Sequence, residues 1–213
     1  LTWGLNHRNT RDKLQGSFVL YAEDPTRSYA LNTAFLQDEY HFSESLGTTL
    51  GMKVEESNTD RFEYQPTLRI SWQALENSTF WASASRAART PSRLENSLEF
   101  RAPAISGIFQ QLSSQYPDYR YYSVIRGSKD FNSEILNAYE LGWRWQMNSK
   151  TLLDITTYQN VYSKLLTYIV LPSPENPDLR YIDQGLVGIV GKTVNQSHGR
   201  SSGVELALDY FAS

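Results

Sequence analysis

Cysteine is absent from the 213 residues, methionine occurs twice and histidine three times. The first absence removes disulfides, thiolate nucleophiles and Cys-ligated metals. His7, His41 and His198 fall in unrelated segments, so no metal site is expected. No apolar run approaches the roughly 18 residues of a spanning helix; the longest, 165–171, contains Thr167 and Tyr168. HExxH, GxSxG, GxGxxG and P-loop patterns are all missing, and neither a catalytic residue nor a cofactor is expected. A net charge of −3 supplies no basic footprint for nucleic acid. No signal peptide is visible and the sequence opens at Leu1 inside a strand-like segment, the expectation for an interior piece of a longer polypeptide.

What is abundant is aromatic: 14 Tyr, 9 Phe and 5 Trp. Residues 137–162 organise the chain. Tyr139, Leu141, Trp143 and Trp145 alternate with Glu140, Gly142, Arg144 and Gln146, a period of two rather than 3.6. Turn-forming residues at 147–150 follow, and then Leu153 and Ile155 continue one face while Asp154 and Thr156 continue the other. Such a hairpin is either half-buried in a soluble sheet or part of a barrel wall facing lipid. Mean soluble strands are about five or six residues, whereas a tilted membrane strand needs roughly nine to eleven. The alternation here lasts long enough for the second. A mildly negative mean hydropathy excludes a helical membrane bundle but not an alternating wall.

The same pattern recurs along the chain. A strand end at 1–8 carries Trp3, and 29–40 is a strand with blurred alternation. At 46–55, Leu46, Leu50, Met52 and Val54 oppose Gly47, Gly51, Lys53 and Glu55. At 64–73, Tyr64, Pro66, Leu68, Ile70 and Trp72 oppose Gln65, Thr67, Arg69, Ser71 and Gln73; a proline near a strand's beginning is tolerated. Strand 79–88 presents Phe80, Ala82 and Ala84. Residues 89–134 show no sustained period, and a loop beyond about 15 residues is usually functional or disordered. Residues 165–171 extend the central hairpin, 181–203 reads as a Gly, Ser and Asn-rich connection, and 204–211 is again a strand.

The connections sort by length. Short turns fall near 41–45, 74–78 and 147–150; long ones fall near 11–28, 56–63, 89–135 and 171–202. Short turns at one rim and long loops at the other are expected of an outer-membrane barrel, with the long set extracellular.

Several segments together resemble TonB-dependent outer-membrane receptors of the ferric siderophore type: TWGLNHR at 2–8, AFLQDE at 34–39, LGMKV at 50–54, QPTLRISW at 65–72, WASASRAARTPSR at 81–93, GSKDFNSEILNAYELGWR at 127–144 and GVEL at 203–206. Each is degenerate alone, but together they cover nearly the whole chain in the family's order. The resemblance implies an all-β fold, a transmembrane antiparallel barrel of 22 strands closed over a plug. About eight of those strands are represented here, as a partial barrel domain over 1–213. Nothing resembles the plug or the closing strand. Implied partners are outer-membrane lipid, the plug and remaining barrel strands of the parent chain, TonB acting through the plug, and a small-molecule ligand such as a ferric siderophore. The implied location is the bacterial outer membrane.

Candidate site residues fall in two sets. In the long loop, Arg101, Tyr116, Tyr119, Arg120, Tyr121 and Tyr122 combine rigid aromatic area with positive charge, suited to an anionic ligand. On the polar face, Arg69, Arg86, Glu140, Arg144 and Glu205, with Lys53, Glu55 and Asp209, are expected to line a wet lumen and face the plug or one another. Trp3, Trp72, Trp81, Trp143 and Trp145 are expected in an interfacial girdle. A competing reading is a soluble β-rich carbohydrate-binding module using exposed Tyr and Trp, with strands near six residues and unsorted loops. A hydrolase with paired carboxylates from distant strands is a third.

Overall fold

The computed structural model describes residues 1–58, 62–103, 114, 120–170, 180–183 and 186–211. In chain order the elements are β1 (Thr2–Lys13), β2 (Leu20–Ala22), β3 (Thr26–His41), β4 (Leu46–Ser57), β5 (Glu63–Leu75), β6 (Ser78–Arg89), α1 (Arg93–Ser97), β7 (Leu98–Pro103), β8 (Arg120–Arg126), β9 (Glu134–Asn148), β10 (Thr151–Val170), β11 (Arg180–Asp183) and β12 (Leu186–Tyr210). Eight of these, in the order β1-β3-β4-β5-β6-β9-β10-β12, form an antiparallel wall; β8, β7 and β2 continue the sheet from the upper part of β12. The wall does not close on itself, as a segment of a larger barrel would not. Wall strands run from 12 to 25 residues, well beyond the soluble expectation.

Register divides the wall into two chemistries. The row Leu46, Trp72, Phe80, Trp143, Ile155, Leu206 is continuous across six strands, and so is the neighbouring polar row of Thr49, Arg69, Ser83, Glu140, Tyr158 and Gly203. The apolar face is not covered: Leu141 is 60% exposed, Leu206 70% and Leu5 77%. An apolar sheet of this extent facing outward needs a nonaqueous partner. The most buried side chains, Phe131, Val124 and Val190, lie instead beneath the long-loop end.

The short connections are 42–45, 76–77 and 149–150, all at one rim, with the long ones at the other. The wall differs from the sequence reading in a connection and in a side chain's face. The stretch expected to connect at 171–202 is strand from Leu186 onward, because Leu186–Lys192 pair in parallel with β8 while Gly191–Ser197 pair with the top of β10. Arg86 lies on the apolar face, on the same side as Ala84 and Phe80; the β5–β6 ladder begins only at Thr67 and Ser85, next to Pro66, whose missing N–H could not extend it.

The β10–β12 pairing is interrupted by a bulge in β10 where Lys164 takes φ 57°, the left-handed region uncommon for a non-glycine residue. The Asn195 amide donates to the Lys164 carbonyl at 2.7 Å and to the Asn132 carbonyl at 2.8 Å, while its oxygen accepts from the Asn132 N–H at 2.6 Å. One side chain thus holds three strands' worth of irregular backbone at the point where the wall gives way to the loop sheet.

Candidate functional site

On the polar face, charge is mostly paired within the wall. Arg144 on β9 donates to Asp154 on β10 at 2.6 and 2.9 Å. Glu140 accepts from the Ser83 hydroxyl at 2.9 Å, and Glu55 accepts from Gln65 at 2.7 Å and pairs with Lys53 at 2.8 Å. Arg69 differs: its guanidinium lies 4.8 Å from the Trp81 ring centroid, and it has no carboxylate partner among the described residues. Trp81 therefore belongs to the polar face and not to the girdle. Glu205 is exposed on β12, opposite Thr156. Of the five expected lumen residues, four share this face; Arg86 does not.

The girdle itself is present on the apolar face. Trp72 and Phe80 have centroids 6.1 Å apart, Phe80 and Trp143 6.0 Å, and Trp143 and Trp145 5.5 Å, close to the short turns. The Trp143 indole N–H donates to the Ser78 hydroxyl at 2.7 Å, satisfying the one polar group that would otherwise meet oil. Trp3 faces the same way on β1 and is 67% exposed.

At the long-loop rim, β2, β7 and β8 make a small sheet joined to β12, so the loop after β1 reaches a strand at the far side of the wall. Glu99, 5% exposed, organises it by pairing with Arg101 at 2.7 Å and with Arg126 at 2.5 Å. Arg101 also lies over Phe18 (5.4 Å) and Tyr21 (4.9 Å), and Phe18 meets Tyr122 edge-on at 4.8 Å. Arg101 and Tyr122 are thus brought together, and Arg120 and Tyr121 open β8 beside them. Tyr116 and Tyr119 lie outside the described residues.

Below this sheet, Arg89 donates to Glu95 (2.6 and 3.1 Å) and Glu134 (2.7 Å). Glu95 closes a capping box with Ser92 that starts α1, and the Arg89 guanidinium, then Ser92, hold its carboxyl below the ordinary carboxylate range. Arg93 ties α1 to the first loop, contacting Asp12 and the Asp24 carbonyl. The sequence reading missed this network, although Ser92-x-x-Glu95 is a recognisable cap signal. Among the described residues the arrangement brings no nucleophile and base together.

The family description "TonB dependent receptor-like, beta-barrel" matches residues 1–212. The chain belongs to the TonB-dependent receptor family, as a piece of its β-barrel. Members of this family are transporters rather than enzymes. Solved receptors share its fold. The siderophore receptor PirA of Acinetobacter baumannii matches with a TM-score of 0.69 at 15% identity, over 97% of this chain and 31% of that one. The ferric enterobactin receptor PfeA of Pseudomonas aeruginosa, as a double mutant, matches at 0.69 and 15%, over 95% and 29%. The FrpB iron transporter of Neisseria meningitidis matches at 0.61 and 12%, over 99% and 30%. This receptor segment therefore spans about three-tenths of the length of its solved relatives. Comparison with curated proteins gives no match.

Proposed function

We propose that this segment is wall and loop of a bacterial outer-membrane receptor that takes up a scarce nutrient, such as a ferric siderophore, with energy from TonB acting through a plug. The observation that carries the reading is the two-faced wall: an exposed apolar face with an aromatic row at one rim, and a charged face opposite it. Its solved relatives include siderophore receptors and an iron transporter, which supports that ligand class here. In this reading the wall is passive. Arg69, Glu140, Arg144 and Glu205 face the plug, and of these Arg144 alone is ion-paired within the wall among the described residues, to Asp154, so Arg69, Glu140 and Glu205 retain charge to offer. Ligand contact falls to the loop residues Arg101, Tyr116, Tyr119, Arg120, Tyr121 and Tyr122, where Arg101 shares its charge with Glu99.

A soluble carbohydrate-binding module fits poorly, because its strands would be near six residues and its loops unsorted. The test is uptake by the full-length parent in its own cells after deleting 104–119. Loss of uptake, with a heat-modifiable outer-membrane band retained, supports the assignment. Unchanged uptake removes Tyr116 and Tyr119 from ligand contact, and a parent found only in the soluble fraction overturns the membrane reading altogether.

A further inference from the structure

Arg86 poses a question that the passive-wall reading leaves open, because an arginine on the apolar side of such a wall is costly anywhere but near its rim. It stands at the head of a valley of about 600 Å³ on that face, floored by Pro66, Leu68 and Ala84 and walled by Met52 and Tyr139. The valley lies where the compact Pro66 on β5 and Ala84 on β6 stand beside the longer Met52 on β4 and Tyr139 on β9. Its floor is apolar and offers a groove for one acyl chain; Asp38 borders it from β3 at the height of Leu50, and Ser85, Arg86 and Asn137 stand at the upper end.

We propose that this valley and Arg86 form a site for a phosphorylated lipid of the leaflet next to the long loops. The proposal rests on the reading that the apolar face meets lipid. Arg86 is fixed from the side away from the valley: it lies 4.2 Å over the Tyr64 ring, contacts the Tyr64 carbonyl and donates to Glu63 at 3.1 Å. Those bonds use two of the five guanidinium N–H groups and leave the others for a phosphate, the geometry in which arginine excels. Glu63 balances the Arg86 charge, but a second cation stands on the same face. Arg200 is opposite Val161, which is opposite Asn137, which is opposite Arg86. It is exposed and has no acidic partner among the described residues. At ~4.8 Å per strand the two arginines start roughly 14 Å apart, a gap that their long side chains can share around one headgroup. Positive charge at the headgroup level above an apolar groove is complementary to an anionic lipid and to neither a neutral lipid nor a soluble protein.

The experiment uses the full-length parent purified in a neutral detergent, with phosphatidylglycerol and phosphatidylcholine as probes and native mass spectrometry counting bound lipid. Wild type should prefer the anionic probe by about tenfold or more, and Arg200→Gln should remove most of that preference. Ala84→Phe, which fills the valley, should weaken both lipids, and inorganic phosphate should not compete. Arg86→Gln should match or exceed the Arg200→Gln effect; if it fails to insert, Arg200→Gln and Ala84→Phe decide. Equal binding of both probes, no response to either variant, or full competition by inorganic phosphate overturns the site. Heat-modifiability of the same preparations reports the barrel separately, so a folded membrane band without lipid preference sinks this inference alone.

Discussion

Trp81 covers Gly142 across the β6–β9 pair so closely that a Cβ on Gly142 would fall inside the indole ring. The same device recurs on the polar face where Phe35 covers Gly4 and Tyr158 covers Gly203. Each large ring lies flat along the wall instead of filling the passage. At Trp81 the consequence goes further, because the held indole presents its face to Arg69.

Gly142→Ala should therefore displace Trp81 and release Arg69, at a cost of about 1–3 kcal/mol from overpacking. The measurement is the denaturant midpoint of the refolded parent in detergent. Trp81→Ala alone should be less harmful when Gly142 is already Ala, so the double-mutant cycle should be strongly non-additive. Additive losses would mean that the two residues do not communicate.

The Arg89, Glu95 and Glu134 network sets a pH window. The folded Glu95 carboxyl is held below its ordinary value of 4.5 by the Arg89 hydrogen bonds first, then by Ser92. A depressed carboxylate contributes stability that is full above the unfolded value and is lost as pH falls through the folded one. Amide exchange at Ser92 and Glu95 should thus stay slow through neutral and weakly acidic pH and accelerate only in stronger acid. Glu95→Gln should exchange fast at neutral pH and lose the acid step; an acid step that survives in that variant would assign it to another group.

Glu99 neutralises two arginines from neighbouring strands while nearly fully buried. Glu99→Gln leaves both cations without their carboxylate and should destabilise the loop sheet by on the order of 1–3 kcal/mol, seen as faster exchange along Leu98–Pro103 and Arg120–Arg126. Arg144→Ala, which breaks the exposed pair with Asp154, should cost about 1 kcal/mol or less. Comparable losses in the two variants would remove the distinction between them.

Much of this was legible because alternation is local. Leu141 against Glu140, or Leu50 against Gly51, needs nothing beyond period two to assign faces. Where local signal conflicts with pairing, pairing wins: residues 186–199 contain three glycines and several polar residues, yet form strand because β8 and β10 flank them. Arg86 shows the opposite failure. Its charge suggested the wet side, while its even spacing from Phe80, Ala82 and Ala84 placed it with them. Trp81 was misplaced for the same reason, its residue type being weighed above its parity. The Glu99 pairings depend on which loops meet, and no spacing along the chain encodes that.

The sharpest test of the wall's surroundings is Leu141→Arg. Leu141 is 60% exposed at mid-height on the apolar face, between Ala82 and Thr157. In water an exposed leucine can become arginine within about 0.5 kcal/mol. In a bilayer the same change near the midplane costs roughly 2–4 kcal/mol. Thr156→Arg, one residue along β10 from Leu141's partner Thr157 and on the polar face, serves as the control, because a wet lumen tolerates charge at either kind of strand. We expect Leu141→Arg to lower the refolding midpoint of the parent in lipid vesicles by several times the Thr156→Arg effect, with a smaller gap in short-chain detergent. Equal effects would mean that the two faces meet the same solvent, and the two-faced wall would then have to be explained without a membrane.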